Sequence, residues 1–178
     1  FDVADGESPD LKDINGDGVR EVTWHSGQDG FSPQGPGYVR LLDGATGAEI
    51  FRVDGVNIED HFGDQWCLLD DVNGDGTFDF ALAVPYGDSI GPNLGEIQVR
   101  SGADLTLLHL TPLLPCAPSL GIGGESGGSI CELPDLDGDG APEFAVGQIN
   151  ARLAAGDPAT AVGAVTIVSG ATGAVLDT

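Results

Sequence analysis

The chain has 178 residues, of which 40% are hydrophobic, so it can bury a core and is too apolar for a disordered tail. Its 29 acidic residues against six basic ones give a formal net charge of −23, which disfavours nucleic acid and anionic lipid headgroups as partners and favours cations. No apolar run approaches the roughly 18 residues of a transmembrane helix, so direct membrane insertion is not expected.

The first predicted elements are four short strands around an acidic loop. A weakly marked strand near residues 7–12 precedes the loop "DINGDG". Three better marked strands follow it, "EVTWHS" (21–26), "GYVRLL" (37–42) and "AEIFRV" (48–53). Turn residues separate these segments, so they predict antiparallel strands joined by hairpins.

The same order of elements occurs twice more along the chain. The second set surrounds the loop "DVNGDG", and the third set surrounds "DLDGDG". No segment has the period of a long amphipathic helix, so the sequence predicts an all-β fold. The predicted strands of these two sets are residues 65–70, 79–86, 96–101 and 105–110, and then 129–134, 143–149, 163–169 and 174–178.

Two markers recur in the same order and define an internal repeat. The acidic loops start at Asp13, Asp71 and Asp135, with spacings of 58 and 64 residues. A later turn, "DGATG", "SGADL" and "SGATG", follows each loop in the same relative place. A repeat of about 60 residues explains both markers, and chance does not. The predicted units are residues 1–58, 59–118 and 119–178.

Each unit has the properties of a β-propeller blade. A lone four-stranded sheet cannot bury both of its faces, whereas sheets stacked side by side can. Three blades are fewer than the four to eight of the usual ring. We therefore expect an incomplete propeller, completed by further blades of a longer parent chain or by other chains.

The acidic loops match the pattern D-x-[DN]-x-D-G-x-x-[DE] and predict metal sites. Oxygen ligands at alternate positions suit a hard cation that takes six to eight oxygens, and Ca2+ fits best. We expect about three ions, one per repeat, because loops holding several like charges need a counter-ion. The predicted ligands, with the carbonyl of the seventh position included, are Asp13, Asn15, Asp17, Val19 and Glu21, then Asp71, Asn73, Asp75, Thr77 and Asp79, then Asp135, Asp137, Asp139, Ala141 and Glu143.

The loops are not EF-hands, and they are not sites for soft metals. An EF-hand needs a bidentate Glu at position twelve, where this chain has Trp24, Leu82 and Val146, and it needs helices where strands are predicted here. Soft metals need Cys or His ligands, which the loops lack. The sharp turn at the sixth position is assigned to Gly18, Gly76 and Gly140.

Other reactive or aromatic side chains leave alternatives open. The three cysteines allow a Cys116–Cys131 disulfide, which we favour, a Cys67–Cys131 disulfide, or free thiols. The three histidines occupy different repeat positions and belong to no nucleophile motif, so no catalytic residue is assigned and no enzymatic activity is expected. The two tryptophans are expected to pack between blades rather than to stack on a sugar.

The second unit resembles an FG-GAP repeat, the blade of integrin α-subunit propellers. Its sequence "FGDQWCLLDDVNGDGTFDFALAVPYGD" carries Phe62–Gly63 as the "FG" and Ala83-Val84-Pro85 near the "GAP". The third unit has Ser126–Gly127 and "VGQ" at these places, and the first has neither. The resemblance implies a secreted or surface-displayed propeller with structural Ca2+, used in adhesion or binding.

We therefore expect a non-enzymatic extracellular calcium-binding propeller segment with a structural, adhesive or protein-interaction role. Its partner would be an extracellular protein or glycan, or copies of itself. Three alternatives stay open, namely a carbohydrate-binding propeller, an accessory propeller of an extracellular hydrolase or lyase, and a subunit of an extracellular polymer. A pocket lined by Trp or Tyr would favour the first alternative.

Overall fold

The structure is a computed structural model that describes residues 12–26, 35–58, 60–91, 95–114, 126–148, 151 and 163–178. These residues form eleven β-strands and no helix. No helix long and apolar enough to cross a membrane occurs in this part of the chain. The prediction of an all-β fold is confirmed for the described residues.

The strands form three antiparallel sheets, one in each predicted unit. The first sheet contains β1 (Val22–Ser26), β2 (Tyr38–Leu42) and β3 (Glu49–Asp54). The middle sheet contains β4 (Trp66–Leu69), β5 (Asp79–Val84), β6 (Glu96–Ser101) and β7 (Leu107–Pro112). The third sheet contains β8 (Ser126–Leu133), β9 (Glu143–Gln148), β10 (Ala164–Ser169) and β11 (Val175–Asp177).

Each sheet is a meander in which sequential strands are neighbours. The predicted strand near residues 7–12 lies almost entirely outside the described residues, so three strands of the first sheet are described. Strand β8 starts at Ser126, three residues earlier than predicted, with a register irregularity between Ser126 and Ser129. The other ten strands match predicted segments, with ends that differ by two residues at most.

The hairpins after β2, β6 and β10 share one turn, the second repeat marker. Asp43, Ser101 and Ser169 each accept a backbone N–H bond from the residue four positions later. That later residue has a positive φ, of 73° at Gly47, 66° at Leu105 and 70° at Gly173. The turn therefore has the same geometry in all three units, and it tolerates a non-glycine residue in the middle one.

The middle sheet is buried on both faces because it lies between the other two. Phe80 and Leu82 of β5 pack toward the first sheet, in a cluster with Val39 and Leu41. The alternate residues of β5 pack toward the third sheet, in a second cluster with Phe144. Every residue of β5 is buried as a result. This explains why "DFALAV" is an almost continuous apolar run, and not an alternating one.

Candidate metal centres

The three acidic loops fold into one turn, in which the first Asp organises the backbone. In the third loop, Asp135 accepts N–H bonds from Gly138 (2.6 Å) and Gly140 (3.0 Å). Asp71 binds Gly74 and Gly76 in the same way, at 2.6 and 2.7 Å. The first loop repeats both bonds, from Gly16 and Gly18 to Asp13. These bonds curl the backbone at the same two positions in all three loops.

The glycine at the sixth position provides a backbone conformation that other residues seldom adopt. Its φ is 87° at Gly18, 86° at Gly76 and 95° at Gly140. These values lie in the left-handed region, where a Cβ clashes with the backbone. The glycines at the fourth position also have a positive φ, which the sequence analysis did not assign. Each loop thus needs two glycines, and the three loops share both.

The fifth and seventh positions are joined by one hydrogen bond in each loop. The N–H of the seventh residue donates to Oδ1 of the fifth, at 2.8 Å for Val19 to Asp17, 2.8 Å for Thr77 to Asp75 and 2.9 Å for Ala141 to Asp139. This bond holds the carboxylate of the fifth residue against the backbone of its own loop. That the carbonyl of the seventh residue is also a ligand stays a prediction.

The acid at the ninth position differs from the others, because it is fully buried. Glu21, Asp79 and Glu143 each have a relative exposure of 0%. Asp79 and Glu143 are the first residues of β5 and β9, and Glu21 directly precedes β1. Each accepts the N–H of the second loop residue, which is Ile14, Val72 or Leu136. Burying a carboxylate is costly unless it is hydrogen-bonded or paired with a cation. The ninth position therefore carries the strongest indication of a ligand.

The third loop brings all four of its acids together. One carboxylate oxygen each from Asp135, Asp137, Asp139 and Glu143 lies within 4.8 Å of the other three. The first three residues are exposed, and Glu143 is buried. Among the described residues, no other group of three or more acids, histidines or cysteines comes as close. A divalent cation would fit these oxygens, since Ca2+ binds carboxylate oxygens at 2.3–2.6 Å.

One oxygen of Glu143 has no hydrogen-bond partner. Its Oε2 accepts the N–H of Leu136, but its Oε1 is buried and unpaired. A buried polar atom without a partner is costly, and it indicates a missing ion or water. The residues of the third loop therefore fit a bound cation, on an observation that does not depend on the sequence pattern.

The equivalent acids of the other two loops satisfy both of their oxygens with backbone N–H groups. Glu21 accepts from Ile14 at 3.0 Å and from Asn15 at 3.3 Å. Asp79 accepts from Val72 at 2.9 Å and from Gly102 at 3.1 Å. The structure thus places these predicted ligands in equivalent turns, but it brings their carboxylates together less closely than those of the third loop.

The third position explains part of this difference. In the second loop, Asn73 donates from Nδ2 to Oδ2 of Asp75 at 2.9 Å. In the first loop, Asn15 donates from Nδ2 to Asp43 at 3.0 Å, outside the loop. The third loop has Asp137 at this position, and a carboxylate cannot donate a hydrogen bond. Its charges therefore have no neutral donor side chain among them.

Backbone hydrogen bonds and burial shift the pKa values of the second loop in opposite directions. The N–H groups of the turn, with that of Gly76 first, hold the pKa of Asp71 below its ordinary value. Burial raises the pKa of Asp79, and the nearby charges of Asp75 and Asp71 add to this shift. The N–H bonds from Val72 and Gly102 act against it. A bound cation would favour the ionised form of both acids.

An acidic cleft of about 590 Å³ lies between the second and third loops. Residues at its wall include Asp70 and Glu132, which share the amino group of Lys12 at 2.8 and 2.7 Å. Burial acts to lower the pKa of Lys12, but its hydrogen bonds to Asp70 and Glu132 outweigh this and raise it. These three residues come from three different units. No motif in the sequence indicated this cluster, although Lys12 is the sole lysine of the chain.

The cysteine predictions are settled only in part. Cys67 and Cys131 carry free thiols, so the Cys67–Cys131 disulfide is not formed. The strand register explains why. Ile130 lies on the face of the third sheet that packs near Cys67, whereas the next residue, Cys131, pairs with Ala145 and lies on the opposite face. Burial raises the pKa of Cys67 far above its ordinary value. Because Cys131 is free, the favoured Cys116–Cys131 disulfide is not formed either, although Cys116 itself lies outside the described residues.

The two tryptophans differ from each other. Trp66 is 3% exposed and makes edge contacts with Phe51 and Phe80, so its predicted packing between sheets is confirmed. Trp24 is 43% exposed on the outer side of the first sheet, so the same prediction for Trp24 is wrong for the described residues. The reason is that no described sheet covers this side.

The histidines make local contacts with the backbone or with neighbouring side chains. His25 Nδ1 lies 2.9 Å from the carbonyl of Gly63, which links the first sheet to the second unit. His61 Nδ1 lies 3.1 Å from Asp64 and packs on the ring of Tyr86. The absence of enzymatic activity stays a prediction.

Comparisons with known proteins give a similar fold and no family. No protein-family profile matches the chain, and no curated protein is similar to it. Among solved structures, the crystal structure of rhamnogalacturonan lyase YesW is similar, with a TM-score of 0.50 and 12% sequence identity. The similar region covers 91% of this chain but only 31% of the lyase. At this identity the likeness concerns the fold alone.

Proposed function

We propose that the chain is a calcium-binding segment of a β-propeller of FG-GAP type, with one ion in each acidic loop. The observation that carries the proposal is the third loop, where four carboxylates converge and the buried Oε1 of Glu143 lacks a partner. Calcium is the best fit because all the donors are hard oxygens and none is sulfur or imidazole.

The propeller arrangement is supported by the stacking of the three sheets. Both faces of the middle sheet are covered by its neighbours, as in adjacent blades. The similarity to a larger solved structure, of which the chain matches 31%, agrees with a segment of a bigger architecture. In this proposal the three blades are residues 1–58, 59–118 and 119–178.

The proposed role is structural or adhesive, and it is carried out outside the cell or at its surface. Extracellular calcium modules bind with dissociation constants of roughly 10⁻⁴ to 10⁻³ M, so they are filled where calcium is abundant. The ions would hold the connection between the first and second strand of each blade. They would thereby present a fixed surface to a protein or glycan partner.

The test is a calorimetric calcium titration of the chain and of Glu143→Gln. We expect about three ions per chain, and one fewer for the variant, because the amide cannot replace the charged ligand. Asp177→Asn, an exposed acid on β11 outside the loops, is the matched control and keeps full uptake. Absence of calcium uptake by the unmodified chain contradicts the proposal.

A carbohydrate-related role is the second candidate, because the structural neighbour is named as a rhamnogalacturonan lyase. The cleft between the second and third loops is lined by acidic, small and proline residues and by Leu133, and not by Trp or Tyr. This lining does not favour sugar stacking at that place. A glycan array that includes pectin fragments would test the candidate, and binding of a defined oligosaccharide would support it over a purely structural role.

A further inference from the structure

Two of the three acidic loops contain an Asn–Gly pair, which is a chemically labile dipeptide. Asn15–Gly16 and Asn73–Gly74 occupy the third and fourth positions of the first and second loops. Asparagine is thermolabile, because the next backbone nitrogen can attack its side-chain carbon and displace the amide. Glycine favours this attack, since it has no side chain to hinder the approach. All four residues are exposed, so water reaches both pairs.

The second loop holds the side chain of Asn73 in a polarised state. Its Oδ1 accepts the N–H of Asp75 at 2.8 Å, and its Nδ2 donates to Oδ2 of Asp75 at 2.9 Å. An N–H group that donates to a carbonyl oxygen stabilises the negative charge that develops there when the carbon is attacked. The backbone of the loop therefore makes the side-chain carbon of Asn73 more reactive.

The attacking nitrogen, that of Gly74, is also prepared by the loop. Its N–H donates to Oδ1 of Asp71 at 2.6 Å, so the proton that it must lose already has an acceptor. Apart from its two chain neighbours, no atom of the described residues lies within 4 Å of the place that a Cβ of Gly74 would take. The path of the nitrogen toward the side chain of Asn73 is therefore open.

The first loop repeats this arrangement. The N–H of Gly16 donates to Oδ1 of Asp13 at 2.8 Å, and Oδ1 of Asn15 accepts the N–H of Asp17 at 2.9 Å. The space beside Gly16 is open in the same way. The third loop differs, because Asp137 stands where the other two loops have Asn. It already contains the residue that loss of ammonia would produce in them.

We propose that Asn73 and Asn15 are sites of spontaneous deamidation, which converts their loops to the carboxylate type found in the third loop. The glycine nitrogen forms a bond to Cγ of the asparagine, the Cγ–Nδ2 bond breaks, and ammonia leaves with the proton of that nitrogen. The cyclic imide then takes up one water molecule and opens. Water entering at Cγ gives Asp, and water entering at the main-chain carbonyl gives isoaspartate.

The two products change the loop in opposite ways. Asp adds a carboxylate to the second loop, as Asp137 does in the third, and ligand charge raises the affinity for calcium. Isoaspartate adds a carbon atom to the backbone, so it displaces Asp75 from the turn and lowers that affinity. These consequences rest on the calcium binding proposed above, whereas the deamidation itself does not.

The test is a timed incubation of the folded 178-residue chain at neutral pH in chelator, followed by digestion and mass spectrometry. We expect the peptides with Asn73 and Asn15 to gain about one dalton, because O⁻ or OH replaces NH2. In water labelled with heavy oxygen, each converted peptide also takes up one labelled atom. A sample digested at the start of the incubation corrects for conversion during digestion.

The chain and one variant provide matched controls. Asn57 is also exposed, but the β-branched Ile58 follows it and hinders the approach of the nitrogen, so Asn57 should keep its amide. Asn73→Gln keeps an amide at the third position, but its longer side chain does not close the five-membered ring. The variant should therefore lose the mass increase at residue 73 and keep it at Asn15.

The outcomes separate this proposal from calcium binding. No mass increase at either Asn–Gly pair, or an equal increase at Asn57, overturns the deamidation proposal, whatever the calcium titration gives. The same incubation with calcium should convert more slowly, because an ion would hold Oδ1 of Asn73 in place. Equal conversion with and without calcium contradicts a calcium ion in these two loops and leaves the deamidation standing.

Discussion

The second and third acidic loops have the same turn but differ in the hydrogen bonds made to their buried carboxylate. Both oxygens of Asp79 accept backbone N–H bonds, whereas Glu143 leaves its buried Oε1 unpaired. The second loop also has a neutral amide, that of Asn73, between its charges, where the third loop has a fourth acid. The comparison teaches that one sequence pattern can give a loop whose buried carboxylate has hydrogen bonds to both oxygens without an ion, and another loop whose buried carboxylate does not.

Calcium removal is the strongest test of this difference. At free calcium about 100-fold above the dissociation constant, each site adds about 2.7 kcal/mol to the free energy of unfolding. A chelator should therefore lower the melting temperature by roughly 5–11 °C per filled site. Hydrogen exchange should show the largest loss of protection in the third loop. An unchanged melting temperature in chelator would contradict calcium binding altogether.

The substitutions Asp79→Asn and Glu143→Gln should change the free energy of unfolding by different amounts. Without calcium, Asp79→Asn should lower the free energy of unfolding by about 1–3 kcal/mol, because the amide nitrogen faces a backbone donor. Glu143→Gln should cause no loss without calcium, since Oε1 has no donor to lose and one repulsive charge disappears. Chemical unfolding in chelator measures both values, and equal losses would show that the two sites do not differ.

Exchange of the third-position residue should make the loops more alike. Asn73→Asp removes the 2.9 Å bond to Asp75 and adds a charge, so it should destabilise the calcium-free chain by about 1 kcal/mol. The same change should raise the affinity of the second loop for calcium, because ligand charge tunes affinity. Asp137→Asn in the third loop is the reciprocal control. Calorimetric titration of both variants would show whether the residue at the third position, or the place of the loop in the fold, sets the affinity for calcium.

The smallest expected effect concerns the cleft between the two loops. Lys12→Met removes the cation shared by Asp70 and Glu132, whose side chains are 76% and 26% exposed. Because solvent screens this pair, we expect a loss of about 1 kcal/mol or less. The measurement is chemical unfolding at low and high salt. A loss that does not shrink at high salt would mean that packing, and not charge, accounts for the contribution of Lys12.

Local features of the fold were predictable from the sequence. The turns depend on Asp and Gly at fixed offsets, so the three loops and their equivalent bonds follow from neighbouring residues. The strands are short apolar runs between these turns, and eleven of the twelve predicted strands lie in the described residues.

The partners of each face were not predictable from local pattern. Trp24 and Trp66 look equivalent as aromatic strand residues, yet one is exposed and the other is buried. Cys67 and Cys131 occupy the same repeat position, yet a neighbouring sheet covers only the first. Burial depends on which sheet lies opposite, and that is a property of residues far away in sequence.

The sequence by itself determined the repeat of three units, the all-β class and the positions of the three acidic loops, because these depend on spacing along a few residues. The tertiary structure decided that Glu143 keeps an unpaired buried oxygen, that Lys12 joins three units, and that Trp66 is buried whereas Trp24 is 43% exposed. These features depend on hydrogen-bond geometry and on packing between sheets, which bring together residues more than 100 positions apart, as in Lys12 and Glu132.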